Sequence, residues 1–445
     1  MEFLETFIIC DWMTDLNNVD NLNKINGINK INNSSSVNDL SNIDNYNFDI
    51  CVVSFSDLRF DARTINLVET LVSLGKKIVV FSISNSYSKQ NSSSKNNLYS
   101  IENSTVKDFE AKILRNKNIE NIKNFKNIII DIPHNRRMFL RWISFLSSVK
   151  SIIYKFNFRT FWAADLYSLP VCKNLNSKEN IKIIYDSREI YSGLSTLANS
   201  NFRQKILILI EKYFIKKVSL LVTSGEMDSE YLKNFYNLKI PISEIKNFPK
   251  FKEFVKSNLI REHFNIPNDK MILLYQGVLL DGRGLIPIMK AIQSTDKYVL
   301  VILGEGNFKF ELEKNIKQLK IENKVKFAGN IDYDDLHKWT CSADIGLCNI
   351  EPISFSYKLA LPNKLFEYIL AELPVLVTDL PALKEVINST NCGFVIPSEN
   401  TATDILNALD SIVNSLEKYK TNSKNIKNNF IYESQKEKII QLIKN

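Results

Sequence analysis

Short apolar runs alternate along this chain with segments whose apolar residues recur every three to four positions. Such alternation predicts strands joined by helices, and hence a parallel sheet. The first series of predicted strands comprises Asp49–Phe55, Lys77–Ile83, Asn127–Ile132, Ile181–Tyr185 and Ser219–Thr223. A predicted helix over Arg63–Leu74, closed by Gly75, joins the first two strands into a βαβ unit.

A second series of the same kind begins after a break at Asn247-Phe248-Pro249. Its predicted strands are Met271–Tyr275, Tyr298–Leu303, Lys324–Phe327, Ile345–Cys348 and Val375–Thr378. Its predicted helices are Leu285–Gln293, Phe310–Leu319, Tyr333–Cys341, a short helix after Pro362 and a final helix over Phe430–Ile443. We therefore expect an α/β protein with two doubly wound, Rossmann-like domains.

The chain divides into four predicted parts. Residues 1–47 are expected to be poorly ordered, because Asn, Ser and Asp dominate most of them and bury too little apolar area to offset chain entropy. The polar stretch 84–97 is expected to be a loop for the same reason. Residues 48–246 and 247–428 are the two predicted domains, and 429–445 is a predicted helix that returns to the first domain.

The composition is that of a globular protein large enough for two cores. The chain has 445 residues, of which 44% are apolar and 24% charged. Its net charge of +8 fits an anionic substrate or an anionic lipid surface and does not indicate nucleic acid. Its six cysteines lack the spacing of a disulfide framework, and no apolar run reaches transmembrane length. We expect a cytoplasmic protein, with contact to a membrane surface as an open alternative.

The most informative stretch is ALPNKLFEYILAELPVLVTD, which joins a turn, an amphipathic helix and a buried strand. Pro362 favours a helix start, and Asn363 and Lys364 lie in the first turn, where free backbone N–H groups favour an anion. Glu367 follows three residues later on the same side of the helix. A cation for phosphate and a carboxylate for sugar hydroxyls predict a nucleotide-sugar site. An ordinary surface ion pair between Lys364 and Glu367 is the alternative.

Two glycine-containing loops follow predicted strands of the second domain. The first, YQGVLLDGRGL, contains Gly277 and opens a helix, so its backbone amides can face a phosphate while Arg283 adds a forked donor. The second is Gly304-Glu305-Gly306, at the strand edge where open α/β sheets bind ligands. Neither loop has the spacing of a GxGxxG fingerprint or a P-loop.

Charged residues follow two predicted strands of the first domain. Asp186, Arg188 and Glu189 come directly after Ile181–Tyr185 and are candidates for the cleft; a helix cap with a salt bridge is the alternative. A second group follows the first strand and comprises Arg59, Asp61 and Arg63. These residues are candidates for the acceptor side, and a solvated charged face is the alternative.

The segment 134–160 is basic, has no acidic residue and carries interleaved aromatic and aliphatic residues. A helix of this kind can lie on an anionic leaflet, close to a lipid-linked acceptor. The alternative is a helix that packs its apolar side into the first domain and leaves its basic residues in solvent. Both interpretations stay open at this point.

The order of these segments resembles a known family. YQGVLLDGRGL, VILGEGN, VKFAGNI, CSADIGLCNIEP, LPNKLFEYILAELPVLVTDLPAL and NCGFVIPSEN are similar to the nucleotide-sugar-binding half of GT-B glycosyltransferases, specifically the retaining family 4 group. The first half is similar too, through DICVVSFSDLRFDARTINLVETLVSLGKKIVVF, WAADLYSLPV, IKIIYDSREIY and IKNFPKF. The resemblance runs from about residue 48 to the C-terminus.

The resemblance implies roles for these residues. Arg283 and Lys364 would grip the diphosphate of a UDP- or GDP-linked sugar and stabilise the leaving group without a metal or cofactor. Glu367 would bind the ribose. Other donor contacts would come from Gly277, Asn363 and the loop of Gly304, Glu305 and Gly306. Asp186 and Arg188 would act near the reacting atoms, and the acceptor side would include Arg59, Asp61, Arg63, Asp165 and Glu189.

Three positions differ from the family pattern. Leu359 stands where the family has a Glu near the transferred sugar, Glu372 where a Gly is usual, and Arg188 where many relatives have a His. Glu351 lies too far upstream to replace the missing Glu by spacing. The expected function is a retaining glycosyltransferase that transfers a sugar to a glycan or lipid-linked acceptor in cell-surface polysaccharide assembly. A GT-B nucleotide-sugar epimerase and a non-catalytic nucleotide-sugar or glycan-binding protein are the alternatives.

Overall fold

The computed structural model describes residues 47–58, 61–84, 125–132, 137–177, 181–194 and 201–444. Apart from Asn47 and Ser84, the predicted N-terminal segment and the predicted loop 84–97 lie outside the described residues, as does Arg59. Contacts divide the chain into a first unit, Met1–Ser187 with Ile210–Leu221, and a second unit, Arg188–Leu209 with Val222–Asn445. The predicted domain boundary near residue 247 stays a prediction.

The first sheet has seven strands in the order β3-β2-β1-β4-β5-β6-β7. They are β1 Ile50–Val53, β2 Ile78–Ser84, β3 Phe125–Asp131, β4 Thr160–Ala163, β5 Lys182–Ser187, β6 Leu220–Thr223 and β7 Ile242–Glu244. The pairs from β3 through β5 are parallel. Every residue of β1 and β4 is buried, as expected where helices cover both faces of a parallel sheet. Strands β4 and β7 were not predicted from the sequence.

In the described part of the chain, four α-helices accompany the first sheet: α1 Ala62–Ser73, α2 Met138–Ile153, α3 Asn201–Ile215 and α4 Glu226–Tyr236. Helix α1 begins at Ala62, one residue before its predicted start, because the Asp61 side chain caps it by accepting from the Thr64 N–H. It ends before Gly75, whose φ of +75° suits glycine at the end of a helix. Strands β1 and β2 with α1 between them form the predicted βαβ unit.

The second sheet has six strands in the order β10-β9-β8-β11-β12-β13, and all of its neighbours are parallel. Its strands are β8 Met271–Gln276, β9 Tyr298–Leu303, β10 Val325–Gly329, β11 Ile345–Cys348, β12 Val375–Thr378 and β13 Gly393–Ile396. Alternate residues of β8 enter different cores, Ile272 and Leu274 on one face and Leu273 and Tyr275 on the other. The prediction of two doubly wound, Rossmann-like sheets is confirmed.

Ten helices of the second unit follow in chain order. They are α5 Leu259–Phe264, α6 Leu285–Ile292, α7 Lys309–Leu319, α8 Tyr333–Thr340, α9 Phe355–Lys358, α10 Asn363–Leu370, α11 Pro381–Thr390, α12 Ala402–Asn414, α13 Leu416–Ile426 and α14 Lys436–Lys444. The prediction of one helix over Phe430–Ile443 was wrong in extent. Two 3-10 turns precede α14, because Ile431 is extended between them and the Tyr432 N–H donates to the Pro249 carbonyl, 2.7 Å away.

Strand order fixes where a ligand can enter the second sheet. The chain runs outward from β8 through β9 to β10, and then returns to place β11 on the other side of β8. Open α/β sheets bind ligands outside the carboxyl ends of the strands at such a reversal. The loops that follow β8 and β11 therefore define the candidate site.

Candidate active site of the second unit

Helix α10 is held against the two strands that flank the reversal. The Tyr368 hydroxyl donates to the Leu274 carbonyl at 3.1 Å and accepts from the Gln276 N–H at 3.1 Å. Its ring packs on Gly346 of β11, where a built Cβ would lie only 2.4 Å from the ring. Glycine at this position is therefore required for α10 to approach the sheet. This packing fixes the first turn of α10, which carries Lys364.

Lys364 is a buried cation that has no hydrogen-bond partner among the described residues. Its side chain is 7% exposed, and its Nζ lies 3.8 Å from the centre of the Tyr275 ring with no hydrogen bond to any described residue. Burial lowers the pKa of Lys364 to about 7; Cys348 and Glu367 raise it, while the charge of Arg283 lowers it further. Among the described residues Lys364 forms no ion pair, so the alternative of a surface pair with Glu367 is wrong.

Arg283 lies in the loop between β8 and α6. Its guanidinium carbon is 4.6 Å from the centre of the Tyr357 ring, and its Nε is buried without a hydrogen-bond partner in the described chain. Gly284, at φ +68°, packs so closely on the Asn349 carbonyl that a built Cβ would lie 2.2 Å from that oxygen. Glu351 stabilises this loop through two hydrogen bonds. Its N–H donates to the Gly282 carbonyl at 2.9 Å, and its carboxylate accepts from the Gly284 N–H at 3.2 Å.

Four buried polar atoms near this strand edge have no hydrogen-bond partner among the described residues. They are Arg283 Nε, Lys364 Nζ, Tyr357 Oη and Asn349 Oδ1. Leaving a buried polar group unpaired costs about 1–3 kcal/mol, so such groups call for a ligand, a water or an ion as partner. Three of the four are donors, and two of these are cationic. The arrangement is therefore suited to an anion rich in acceptor oxygens.

Glu367 is held by a short polar chain at the end of β8. Its carboxylate accepts from the Gln276 amide, and the Gln276 carbonyl oxygen accepts from the Thr340 hydroxyl at 2.9 Å. Burial raises the pKa of Glu367, and the Gln276 hydrogen bond and the charges of Lys252 and Lys364 oppose that rise. Its predicted contact with ribose stays a prediction.

The predicted glycine loops pack tightly on one another. A Cβ at Gly304 would lie 2.1 Å from the Gly277 carbonyl oxygen, and one at Gly306 would lie 2.2 Å from the Leu279 carbonyl oxygen. The Gly277 and Gly304 N–H groups donate within the chain, to Leu303 and Gly329. Glu305 pairs with Lys309 at 2.8 Å, and Asn363 is exposed at the start of α10. Their contacts with a donor stay predictions.

A cavity of about 210 Å³ adjoins the Arg283 loop. Arg283, Gly284, Lys290 and Glu351 line it together with the first residues of α6. Burial raises the pKa of Glu351, a change that the hydrogen bond from Gly284 opposes. Glu351, which spacing excluded as the family's sugar-side Glu, thus supports the loop that carries Arg283.

Two predicted acceptor-side carboxylates of the first unit are engaged within the chain. Asp61 caps α1 and accepts from the Ser56 hydroxyl at 2.5 Å and the Thr64 hydroxyl at 2.7 Å. Asp165 accepts from the Phe55 N–H at 2.8 Å and the Ser168 N–H at 2.6 Å. These bonds fix the loops at the carboxyl ends of β1 and β4, and contact with an acceptor stays a prediction.

Arg63 and Asp186 form a buried ion pair of the first unit. Arg63 Nη2 lies 2.6 Å from Asp186 Oδ1, and Arg63 Nε lies 3.0 Å from Oδ2. The sequence did not predict this pair, and the burial of Arg63 rules out the solvated face that was its alternative. Arg188 and Glu189 follow β5 but belong by contacts to the second unit, where the Arg188 carbonyl accepts from the Ser224 hydroxyl at 2.6 Å.

The described part of the basic segment is mostly α2. Its buried face, formed by Trp142, Phe145, Leu146, Val149 and Ile152, supplies core to the first unit. Its first turn leaves Met138, Phe139 and Leu140 exposed, at 55%, 48% and 37%. No described helix is long and apolar enough to cross a bilayer, and no three described His, Cys, Asp or Glu side chains are grouped to hold a metal. Contact with a membrane surface stays a prediction.

Comparisons with known proteins show the fold of this chain and a family to which part of it is similar. Residues 256–429 match the family model for glycosyl transferases group 1. Sucrose-phosphate synthase from Thermosynechococcus elongatus superposes with a TM-score of 0.69 at 15% identity, over 89% of this chain and 98% of that one. The fold is GT-B.

Other proteins share the GT-B fold. Anabaena HepE, solved in complex with UDP-glucose, superposes with a TM-score of 0.64 at 12% identity, over 89% of this chain and 99% of that one. An uncharacterized glycosyltransferase of Methanocaldococcus jannaschii is 25% identical over 185 residues, which are 39% of this chain and 43% of that relative. This chain thus matches less than half the length of that curated relative.

Two residues that the fold brings to the loop of Arg283 and Gly284 were not predicted from the sequence. Tyr357 and Asn349 come from the segment after β11, whereas Arg283 follows β8. Asn349 directly follows β11, a position that could have marked it as a strand-end residue. Tyr357 reads as an ordinary apolar position of a short helix, and nothing in its local sequence indicates a polar role.

Proposed function

We propose that this protein is a glycosyltransferase that transfers a sugar from a nucleoside diphosphate sugar. The observation that carries the proposal is the pair of buried cationic groups, Arg283 Nε and Lys364 Nζ, unpartnered among the described residues and placed near the strand-order reversal of the second sheet. A diphosphate supplies the missing acceptors. HepE, which shares the fold, was solved with UDP-glucose, and this supports UDP as the first nucleotide to test.

The same residues account for the chemistry. The nucleoside diphosphate gains negative charge as the bond to the sugar breaks, and fixed cations stabilise that charge most when water is excluded. We propose a retaining transfer of the family 4 type, in which the departing phosphate helps to take the proton of the acceptor hydroxyl. No metal or cofactor is invoked, and Glu367 binds the ribose. The acceptor is a glycan or lipid-linked glycan of polysaccharide assembly.

A nucleotide-sugar panel tests the reaction. We expect UDP or GDP to raise the melting temperature, because a ligand that binds only the native state stabilises it. Slow hydrolysis of one nucleotide sugar, accelerated product formation with glycan acceptors and retained anomeric configuration by NMR are the expected results. An isomerised donor identifies the epimerase alternative. Binding without turnover under all acceptors identifies the binding-protein alternative.

We also propose that α2 contacts an anionic membrane surface through its first turn. The exposed Met138 and Phe139 precede Arg141, so apolar and basic side chains share that turn. We expect the protein to sediment with vesicles of phosphatidylglycerol and phosphatidylcholine, and the Met138→Ser/Phe139→Ser variant to lose about tenfold in affinity. The matched control is Phe310→Ser, an exposed aromatic of α7. Equal sedimentation of all three proteins contradicts the proposal.

A further inference from the structure

Tyr357 is fixed beside Arg283 by its surroundings. It lies in α9, whose first turn is capped by Ser354, the side chain of which accepts from the Tyr357 N–H at 3.2 Å. One face of the ring lies under the Arg283 guanidinium at 4.6 Å. Its edge packs on Gly282, where a built Cβ would come within 3.1 Å of the ring. The position of the hydroxyl is therefore set by the packing of the ring.

The hydroxyl of this ring is buried and has no hydrogen-bond partner in the described chain. A buried tyrosine normally finds a partner for its O–H group, because an unpaired one costs stability. The same neighbourhood holds Arg283 Nε and Lys364 Nζ, which are unpartnered in the same way. Three donors without acceptors match a ligand that offers several acceptor oxygens and no donors.

We propose that the Tyr357 hydroxyl donates a hydrogen bond to the diphosphate of the bound nucleotide, as a third donor beside Arg283 and Lys364. This inference rests on the proposed function and adds a residue to its site. The stacked ring holds the guanidinium plane, which leaves the Arg283 N–H groups free to point at phosphate oxygens. Leu359, the cap residue that ends α9, stands where the family has its Glu. The short helix thus contributes a neutral donor instead of a carboxylate.

Tyr357→Phe isolates the hydroxyl, because it keeps the ring and its stacking on Arg283. By isothermal titration with UDP and GDP, we expect the variant to bind the preferred diphosphate about tenfold more weakly than the natural protein. Tyr357→Leu, which also removes the stack on Arg283, should lose more. Tyr419→Phe is the matched control, since it removes the hydroxyl of a buried tyrosine of α13 in the other core of the second unit; we expect it to leave the affinity unchanged.

The melting temperature without nucleotide is a second measurement, in which we expect Tyr357→Phe to gain stability although it loses affinity. Removing an unpaired buried hydroxyl should raise the melting temperature of Tyr357→Phe by about 1–3 °C, whereas removing a paired one lowers it. Weaker binding together with equal or higher stability supports the inference. Unchanged affinity of Tyr357→Phe, in a natural protein that binds UDP or GDP, overturns it and leaves the proposed function intact. Failure of the natural protein to bind any nucleoside diphosphate overturns both.

Discussion

Lys364→Met is expected to weaken nucleoside diphosphate binding by about 100-fold at pH 7 while the protein becomes more stable. The loss follows from removing a buried cation that would pair with the diphosphate, an interaction worth about 2–5 kcal/mol where charges are desolvated. The gain in stability follows because methionine keeps the apolar stem of Lys364 and removes a buried amine that has no hydrogen-bond partner among the described residues. Isothermal titration with UDP and GDP measures the first effect, and thermal unfolding measures the second.

The pH dependence of this variant separates charge from packing. Burial lowers the pKa of Lys364 to about 7 in the folded protein, whereas an unfolded lysine has a pKa near 10.4, roughly its free value. Between these values the unfolded chain binds more protons, so this group makes stability rise with pH. The stability gained by Lys364→Met should therefore be largest below pH 7, at most about 5 kcal/mol, and vanish near pH 10.

In the natural protein, the affinity for a diphosphate should fall as the pH rises. Above pH 7 the empty site holds mostly neutral Lys364, which must take up a proton before it can pair with a diphosphate. We expect affinity to fall about tenfold per pH unit between pH 8 and 9, with proton uptake seen as a buffer-dependent heat. Lys384→Met, an exposed lysine of α11, is the control and should follow the natural protein. A diphosphate affinity equal in Lys364→Met and the control rules out the site.

The sequence predicted the part of the site that lies on one element. Pro362, the amphipathic period after it and the apolar run over Val375–Thr378 encode α10 and β12 locally, and the structure has both. The first-turn position of Lys364 follows from the same pattern. Its burial does not, because the amine is covered by Tyr275 of β8, which is 89 residues away along the chain (364 minus 275). The local sequence pattern therefore predicted the position of Lys364 in the helix but not its pKa.

Glu372 shows why one departure from the family pattern is tolerated. Glu372, the second residue after α10, has φ +58°, a left-handed conformation that favours glycine and explains why glycine is usual there. The strain is offset by an ion pair, since the Glu372 carboxylate lies 2.7 Å from Lys427 Nζ and both side chains are largely buried. The sequence shows the substitution but cannot show this partner, which comes from the end of α13 and is joined to Glu372 only by the fold.

In the first unit, the sequence indicated where charged residues lie but not what they contact. Asp61 and Arg63 follow β1, Asp165 follows β4, and Asp186 is the penultimate residue of β5, so all four are near the carboxyl ends of strands. Sequence position alone could not tell whether they face a substrate or one another. In the structure they form hydrogen bonds or ion pairs within the chain, and both side chains of the Arg63–Asp186 pair are buried. The predicted role in catalysis must therefore be tested apart from the role in stability.

Breaking this pair by Arg63→Met or Asp186→Asn is expected to destabilise the first unit by about 3–5 kcal/mol, because either change leaves a buried charge without its partner. For a unit of this size, that corresponds to a fall of roughly 10 °C in its melting temperature. Hydrogen exchange of the amides of β1 and β5 reports on this unit alone. The exposed pair Lys297–Asp410 of the second unit is the control, and Lys297→Met should cost less than about 1 kcal/mol.

The double variant Arg63→Met/Asp186→Leu distinguishes the two roles. Two apolar side chains can replace a buried ion pair at little cost, so we expect most of the lost stability to return. If the pair also acts on the acceptor, glycosyl transfer stays at least tenfold below that of the natural protein although protection of β1 and β5 is restored. Recovery of transfer and stability together contradicts the catalytic prediction for Asp186 and the acceptor-side prediction for Arg63. A double variant as unstable as either single variant contradicts the energetic account, because the cost would then come from lost packing rather than from an unpaired charge.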